Sequence, residues 1–238
     1  MTAPPRPIDG GADAVLLDVG GVFHLPDHTR MLAALARLGL PEPRDLDRAH
    51  YKAVAAIECA GRDGGVVWHT YIASYGRACG VPEADVDNAC AVLHAAFTME
   101  NTWSRVIPGS REALQRLAEA GYELAIVSNA DGTVEQRLRD EEICQVGPGP
   151  GVEVRLVVDS HVVGVEKPDP AIFRHALDAL GVDPARAVHV GDTPAADVAG
   201  AIAAGVRPVL VDPYDLHAGV GCTKVTSLAA VVELLGPR

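Results

Sequence analysis

The stretch AVLLDVGGVF, Ala14–Phe23, runs through an apolar segment to a single carboxylate, Asp18, and then to two glycines. An apolar run without polar alternation is typical of a strand that is buried on both faces of a parallel sheet. In open parallel sheets the ligand lies beyond the carboxyl ends of the strands, which is where Asp18 would stand. A lone aspartate after a strand is also a common turn former or helix cap. The role of Asp18 therefore depends on what the rest of the chain brings to the same edge.

The chain after Gly109 alternates amphipathic helices with short apolar strands. The helix-like segments are SREALQRLAEAG, PAIFRHALDALG, AADVAGAIAAG and SLAAVVELLG, and the strand-like segments are YELAIVSNA, EVRLVVDS, AVHVGD and RPVLVD. Such alternation indicates a parallel sheet that helices cover on both faces. The sequence therefore predicts an α/β fold with a doubly wound, Rossmann-like parallel sheet that includes the AVLLDV strand. The segment VGPGPG, residues 146–151, is predicted to be a loop.

The segment between the first strand and Gly109 has a different pattern. Its four main stretches, HTRMLAALARLGL, LDRAHYKAVAAIECAG, VWHTYIASYGRACG and EADVDNACAVLHAAF, all favour helix, and no convincing strand separates them. We therefore predict a flexible tail over residues 1–12, an α/β catalytic core over residues 13–25 and 105–238, and an all-helical domain over residues 26–104.

Composition narrows the class of protein. The chain has 238 residues, of which 48% are hydrophobic, and its net charge is −12. This charge disfavours nucleic acid as a partner, and no apolar run approaches the roughly 18 residues of a membrane span. Five cysteines without CxxC spacing argue against a disulfide framework or a zinc site. We expect a cytoplasmic protein, a monomer or a homodimer, that binds neither nucleic acid nor membrane.

Polar residues that can do chemistry follow four of the predicted strands. In chain order they are Asp18, Ser128 with Asn129, Lys167, and Asp192 with Asp197. Each has an ordinary structural interpretation, such as a turn, a helix start, a solvated lysine or a helix cap. Because the carboxyl ends of parallel strands share one edge, their occurrence together favours a single site.

Four segments of the sequence resemble the motifs of a known family. They are LLDVGGVF, LAIVSNA, GVEKPDPAIF and VHVGDTPAADVAGAIAAG, and together they span almost the whole chain. The sequence resembles the haloacid dehalogenase-like (HAD) hydrolase superfamily, of the phosphatase-like subgroup whose helical C1-type cap is inserted after the first strand. The resemblance implies a HAD core with a cap that closes over the strand ends and provides specificity.

The resemblance also implies a role for each residue. Asp18 is the expected nucleophile, which forms an aspartyl-phosphate that water then hydrolyses. Expected Mg²⁺ ligands are Asp18, the backbone carbonyl of Gly20 and Asp192, with Asp197 supporting the metal or holding the lysine. Lys167 and Ser128 are expected to be catalytic together with Asp18. The residues expected to bind the phosphate of a small phosphorylated substrate are Ser128, Asn129, Lys167 and Gly21.

Gly20 departs from the family pattern, because related phosphatases usually have a second Asp there that protonates the leaving group. General acid–base help typically contributes about 10²–10⁴ in rate. One explanation is a phosphatase whose substrate has a good leaving group, such as an acyl, anomeric sugar or aryl phosphate, or whose proton comes from His24. The alternatives are a 2-haloacid dehalogenase-type hydrolase and a non-catalytic binding or regulatory protein.

Overall fold

The computed structural model describes residues 11–57, 64–99 and 102–238. Most of the predicted flexible tail, residues 1–10, lies outside the described residues. Two compact units make up the chain: one contains the chain through Phe23, Pro108–Pro213 and Gly219–Arg238, and the other contains His24–Ile107 and Tyr214–Ala218. Each unit is described by itself.

Ten strands and ten α-helices form the described chain. The strands are β1 (Ala14–Leu17), β2 (His24–Pro26), β3 (Trp103–Val106), β4 (Glu123–Ser128), β5 (Cys144–Val146), β6 (Val152–Val154), β7 (Leu156–Asp159), β8 (Ala187–Gly191), β9 (Arg207–Val211) and β10 (Thr223–Val225). The helices are α1 (His28–Arg37), α2 (Leu46–Ile57), α3 (Gly64–Ala78), α4 (Val86–Phe97), α5 (Ser110–Glu119), α6 (Val134–Asp140), α7 (Ser160–Val163), α8 (Ala171–Leu180), α9 (Ala199–Ala203) and α10 (Leu228–Leu235). Short 3₁₀ turns lie at Glu83–Asp85 and Pro184–Arg186, and a π-helical turn lies at Pro194–Val198.

The first unit is built on a six-stranded sheet with the order β10-β9-β8-β1-β4-β7. Every neighbouring pair in this sheet is parallel, so the predicted doubly wound parallel sheet is confirmed. Strand β1 lies between β8 and β4, with Leu17 opposite Val190 on one side and Ile126 on the other. Three strand ends that carry polar residues are therefore neighbours at the centre of the sheet.

Two apolar layers cover the faces of this sheet. Val15 and Leu17 point into a layer that includes Leu114 of α5 and Val231 of α10. Leu16, between them in sequence, points to the opposite layer, which contains residues of α8. Burying one such side chain contributes about 1.5–3 kcal/mol. Burial on both faces is the reason that the β1 sequence is apolar without alternation.

The predicted strand EVRLVVDS is in fact two strands, β6 and β7, separated by Arg155. Strand β6 pairs in parallel with β5 in a separate ribbon, while β7 joins the main sheet. The connection from β5 to β6 is held by the buried side chain of Gln145, which donates to the Gly147 and Gly151 carbonyls and accepts from the Gly151 N–H. The predicted loop at 146–151 is a loop except for its first residue, which ends β5.

The second unit contains helices α1–α4 and a short antiparallel ribbon of β2 with β3. The ribbon escapes sequence analysis because its strands have only three and four residues, and β2 contains Pro26. An aromatic cluster forms part of this unit's core: the Tyr71 ring stacks on Trp68 at 5.4 Å and meets Phe97 edge-on at 5.3 Å. None of the described helices has the length and apolar character needed to cross a membrane. The assignment of this unit as a cap stays a prediction.

Candidate active site

Three adjacent strands deliver polar residues to the carboxyl edge of the main sheet. Asp18 follows the end of β1, Ser128 is the last residue of β4, and Asp192 follows the end of β8. Since these strands are parallel neighbours, their polar ends meet at one edge. The sequence pattern predicted this convergence.

The centre of the site is a buried cluster of three carboxylates and one lysine. One oxygen from each of Asp18, Asp192 and Asp197 lies within 4.8 Å of the others. The Lys167 ammonium lies 2.8 Å from Asp18 Oδ1 and 2.7 Å from Asp197 Oδ1. All four residues are buried, with Asp18 the most exposed at 8%.

Both oxygens of Asp197 accept hydrogen bonds. Oδ1 accepts from the Lys167 ammonium and lies 2.8 Å from His189 Nε2, while Oδ2 accepts from the Thr193 backbone N–H at 2.9 Å. The Thr193 hydroxyl donates to Asp192 Oδ1 at 3.0 Å. The geometry of Asp197 therefore favours holding the lysine over binding a metal directly. Sequence analysis missed His189 and Thr193, although a histidine within the apolar strand AVHVG was a visible signal.

Burial and charge set the protonation of this cluster. Burial raises the pKa of Asp18 by more than the shared Lys167 ammonium lowers it, and the Asp197 and Asp192 carboxylates raise it further. Burial alone would lower the pKa of Lys167, but Asp18 and Asp197 raise it above its ordinary value. Burial would likewise raise the pKa of Asp197, but Lys167 and His189 hold it well below its usual range. Lys167 and Asp197 thus form the ionised pair, and Asp18 is the less compensated acid.

Asn129 holds the main chain of Lys167. Its Oδ1 accepts from the Lys167 N–H at 2.8 Å, and its Nδ2 donates to the Lys167 carbonyl at 3.0 Å. The peptide from Lys167 to Pro168 is cis. The Asn129 side chain therefore connects the end of β4 to the loop that carries the lysine.

Ser128 and the turn after it are held by Asp159, the last residue of β7, and Ser160, the first residue of α7. Ser128 is 4% exposed and pairs with Asp159 across the sheet. Asp159 Oδ2 accepts from the Gly132 N–H at 2.9 Å, and Ser160 Oγ accepts from the Ala130 N–H at 3.1 Å. The turn after β4 is thereby fixed at two of its backbone N–H groups.

Close packing against the site carboxylates leaves room only for glycine at two positions. A Cβ on Gly21, which has φ +65°, would collide with the Asp192 carboxylate, and one on Gly191 would collide with Asp197. Gly20 differs, because a Cβ there would meet no atom within 4 Å. The remaining predicted residue, His24, belongs to the second unit, where it opens β2 and is fully buried. Its role as a proton donor stays a prediction.

The donor set fits a divalent oxygen-seeking cation such as Mg²⁺. The cluster brings three buried carboxylates together with one ammonium, and buried charge needs compensation. Hard cations such as Mg²⁺ prefer carboxylate and carbonyl oxygen. Asp18 and Asp192 are the residues best placed to hold such an ion, and the Gly20 carbonyl as a further ligand stays a prediction.

The family model of haloacid dehalogenase-like hydrolases matches residues 12–205. The chain belongs to the haloacid dehalogenase-like hydrolase family. The resemblance that four sequence segments predicted is thereby confirmed at the level of the family. The matched range includes all the residues of the carboxylate–lysine cluster.

The curated proteins that this chain is similar to include two that are named as phosphatases. The chain is 36% identical to a plasmid-encoded phosphoglycolate phosphatase of Cupriavidus necator over 65% of this chain and 63% of that protein. It is 39% identical to a phosphoserine phosphatase of Thermus thermophilus over 50% and 46%. It is 37% identical to the mouse haloacid dehalogenase-like hydrolase domain-containing protein 3 over 63% and 56%. The chain thus spans 46–63% of the length of these curated relatives.

Solved HAD structures share the fold. The HAD hydrolase YfnB of Bacillus subtilis, crystallised with magnesium, matches with a TM-score of 0.62 over 95% of this chain and 99% of that chain, at 19% identity. A dehalogenase structure matches with a TM-score of 0.58 over 97% and 100%, at 18% identity. At these identities the likeness supports the fold alone.

Proposed function

We propose that this protein is a Mg²⁺-dependent phosphatase that acts on a small phosphorylated metabolite through an aspartyl-phosphate intermediate. The observation that carries the proposal is the buried cluster of Asp18, Asp192 and Asp197 around the Lys167 ammonium. Family membership and phosphatase-named relatives support it.

Asp18 is the proposed nucleophile. Its Oδ1 lies 2.8 Å from the Lys167 ammonium. In the first step this carboxylate forms a bond to phosphorus while the bond from phosphorus to the leaving oxygen breaks. In the second step water attacks phosphorus, its proton passes to solvent, and Asp18 is released with free phosphate.

The other site residues position and neutralise the phosphate. The Lys167 ammonium, kept protonated by two carboxylates, balances charge on the nucleophile and on the transferred group. Ser128 supplies a hydroxyl at the end of the neighbouring strand, and Asn129 acts by holding the Lys167 main chain. A bound Mg²⁺, held by Asp18 and Asp192, would supply positive charge to the phosphoryl oxygens.

Because Gly20 has no acidic side chain that could protonate the leaving oxygen, we propose a substrate with a good leaving group. Lys167 is bonded to two carboxylates and His189 to Asp197, so neither is available to protonate a leaving oxygen in the described core. An acyl, anomeric sugar or aryl phosphate departs with little protonation and needs no such donor. A simple alkyl phosphate would lose the factor of about 10²–10⁴ that an acid–base residue supplies.

The test is phosphate release by the purified protein over a panel of these substrate classes, with Mg²⁺ and with chelator. Asp18→Asn is the matched control, because it keeps the volume of the side chain and removes the nucleophile. Gly20→Asp is the gain-of-function arm, since the space around a Cβ at this position is open. We expect Mg²⁺-dependent release that disappears in Asp18→Asn, and a larger gain from Gly20→Asp on alkyl than on aryl phosphates.

Absence of release from every substrate, with Gly20→Asp equally inactive, would overturn the phosphatase proposal. Halide release from a 2-haloacid without any metal would instead favour the dehalogenase. Release that is unchanged in Asp18→Asn would overturn the role of Asp18.

A further inference from the structure

His189 is a buried polar side chain in a strand of the first unit whose other residues are apolar. It lies in β8 between Val188 and Val190, and none of its surface is exposed. The apolar ring of Phe173 meets the imidazole edge-on at 4.9 Å. An apolar side chain of similar size would fill this position without the cost of burying polar nitrogens.

The imidazole has one polar contact in the described part of the chain. Its Nε2 lies 2.8 Å from Asp197 Oδ1, and its Nδ1 has no hydrogen-bond partner among the described residues. Asp197 accepts and does not donate when it is ionised. The Nε2 atom therefore carries a hydrogen and donates a hydrogen bond to Asp197 Oδ1.

This donor completes the fixation of the Asp197 carboxylate. The Thr193 N–H holds Oδ2, and His189 holds Oδ1 beside the Lys167 ammonium. Two side chains, Lys167 and His189, contact Oδ1, and only His189 belongs to a strand of the sheet, so its position does not depend on the ammonium that Asp197 holds. The position of the ammonium between Asp197 and Asp18 follows from the orientation of the Asp197 carboxylate.

We propose that His189 is a positioning residue, whose Nε2–H orients Asp197 and thereby sets the place of Lys167 beside Asp18. The expected effect on kcat rests on the proposed phosphatase function. The effect of His189 on the position of Lys167, through Asp197, does not. Removal of the donor should lower kcat more than it raises KM, because Lys167 contacts the attacking carboxylate.

The kinetic test is a double-mutant cycle with a conservative rescue. His189→Met removes the donor at similar volume, His189→Gln keeps an N–H, and Asp197→Ala removes the acceptor. We expect His189→Met to lower kcat about tenfold in the wild-type background and less than twofold in the Asp197→Ala background. We expect His189→Gln to recover most of the loss.

A control variant separates positioning from general loss of a buried histidine. His50 of the second unit is 2% exposed, and its Nδ1 lies 2.8 Å from the Tyr71 hydroxyl. His50→Met should lower the melting temperature without the loss of kcat expected for His189→Met. Equal losses of kcat in His189→Met and His50→Met would overturn the positioning role.

A spectroscopic measurement tests, without any substrate, whether His189 affects the position of Lys167. Heteronuclear NMR of the metal-free protein can detect the buried Lys167 ammonium and the His189 Nε2–H. We expect the ammonium signal to move in His189→Met and to return towards its wild-type position in His189→Gln. An unmoved Lys167 signal, or equal kinetic effects of His189→Met in both backgrounds, would refute the proposal. If the Lys167 signal moves but the protein has no phosphatase activity, the positioning role of His189 is supported and only the proposed function is overturned.

Discussion

Replacing Gly21 by alanine should disturb both the folding and the metal response of this protein, although only one methyl group is added. The residue has φ +65°, and a Cβ built there would lie well inside 3.0 Å of the Asp192 carboxylate, closer than real Cβ contacts. The substitution therefore strains the backbone and displaces a proposed metal ligand at the same time.

The two effects can be given magnitudes. A left-handed conformation costs an L-residue about 1–2 kcal/mol. For a chain of this size that loss lowers the melting temperature by about 2–8 °C. The carboxylate of Asp192 must also move, and a misplacement on the order of 1 Å can cost about 10²-fold in rate.

Gly20→Ala is the matched control. The adjacent glycine has no left-handed φ, and its Cβ would meet nothing within 4 Å. Alanine at such a position stabilises by about 0.4–1 kcal/mol, because it restricts the unfolded chain. The two substitutions should therefore change the free energy of unfolding in opposite directions.

The assay is thermal unfolding of both variants with and without Mg²⁺, followed by phosphate release on the best substrate. We expect Mg²⁺ to raise the melting temperature of the wild type and of Gly20→Ala, but much less that of Gly21→Ala. A Gly21→Ala protein with the stability, Mg²⁺ response and activity of the wild type would refute the reasoning, because the collision would then have no consequence.

Three further predictions follow from the site and the core. Asp18→Asn should raise the melting temperature of the metal-free protein at neutral pH, by about 2–4 °C for each kcal/mol gained, because burial raises the pKa of Asp18 and its charged form opposes folding. Because the pKa of Asp18 is higher in the folded than in the unfolded protein, wild-type stability increases as the pH falls through the folded-state pKa. The stability advantage of Asp18→Asn should therefore shrink on acidification. Asn129→Ala removes two hydrogen bonds to the Lys167 main chain, and urea unfolding should give a loss of about 1–3 kcal/mol together with a lower kcat. Burial raises the pKa of the Cys144 thiol to about 12, so the folded protein at pH 8.5 should label at Cys144 far more slowly than unfolded protein, as peptide mass spectrometry can measure.

Each of these predictions has a contradicting outcome. An Asp18→Asn protein that is less stable than the metal-free wild type at neutral pH would mean that Asp18 is fully compensated by Lys167. Wild-type kcat in Asn129→Ala would mean that other contacts hold the lysine loop. Equal labelling of Cys144 in the folded and unfolded protein would contradict its burial in β5.

The sequence alone determines the convergence of Asp18, Ser128 and Asp192. An apolar run without alternation can be recognised locally, and the parallel connection of such runs brings their carboxyl ends to one edge. The residue types then restrict the chemistry to oxygen ligands, a hydroxyl and an ammonium. This is why both the parallel sheet and the polar edge could be predicted from the sequence.

The tertiary structure decides which atoms are bonded to which. That Asn129 turns to the Lys167 main chain and that His189 faces Asp197 depend on side-chain direction, and a one-residue change of register would reverse the face of every residue in a strand. The ribbon of β2 with β3 likewise joins residues far apart in sequence, with Leu25 opposite Arg105. Local periodicity carries no information about such partners, since they are selected by packing across the whole fold. The sequence therefore determined the chemistry available at the sheet edge, and the tertiary structure determined how that chemistry is held in place.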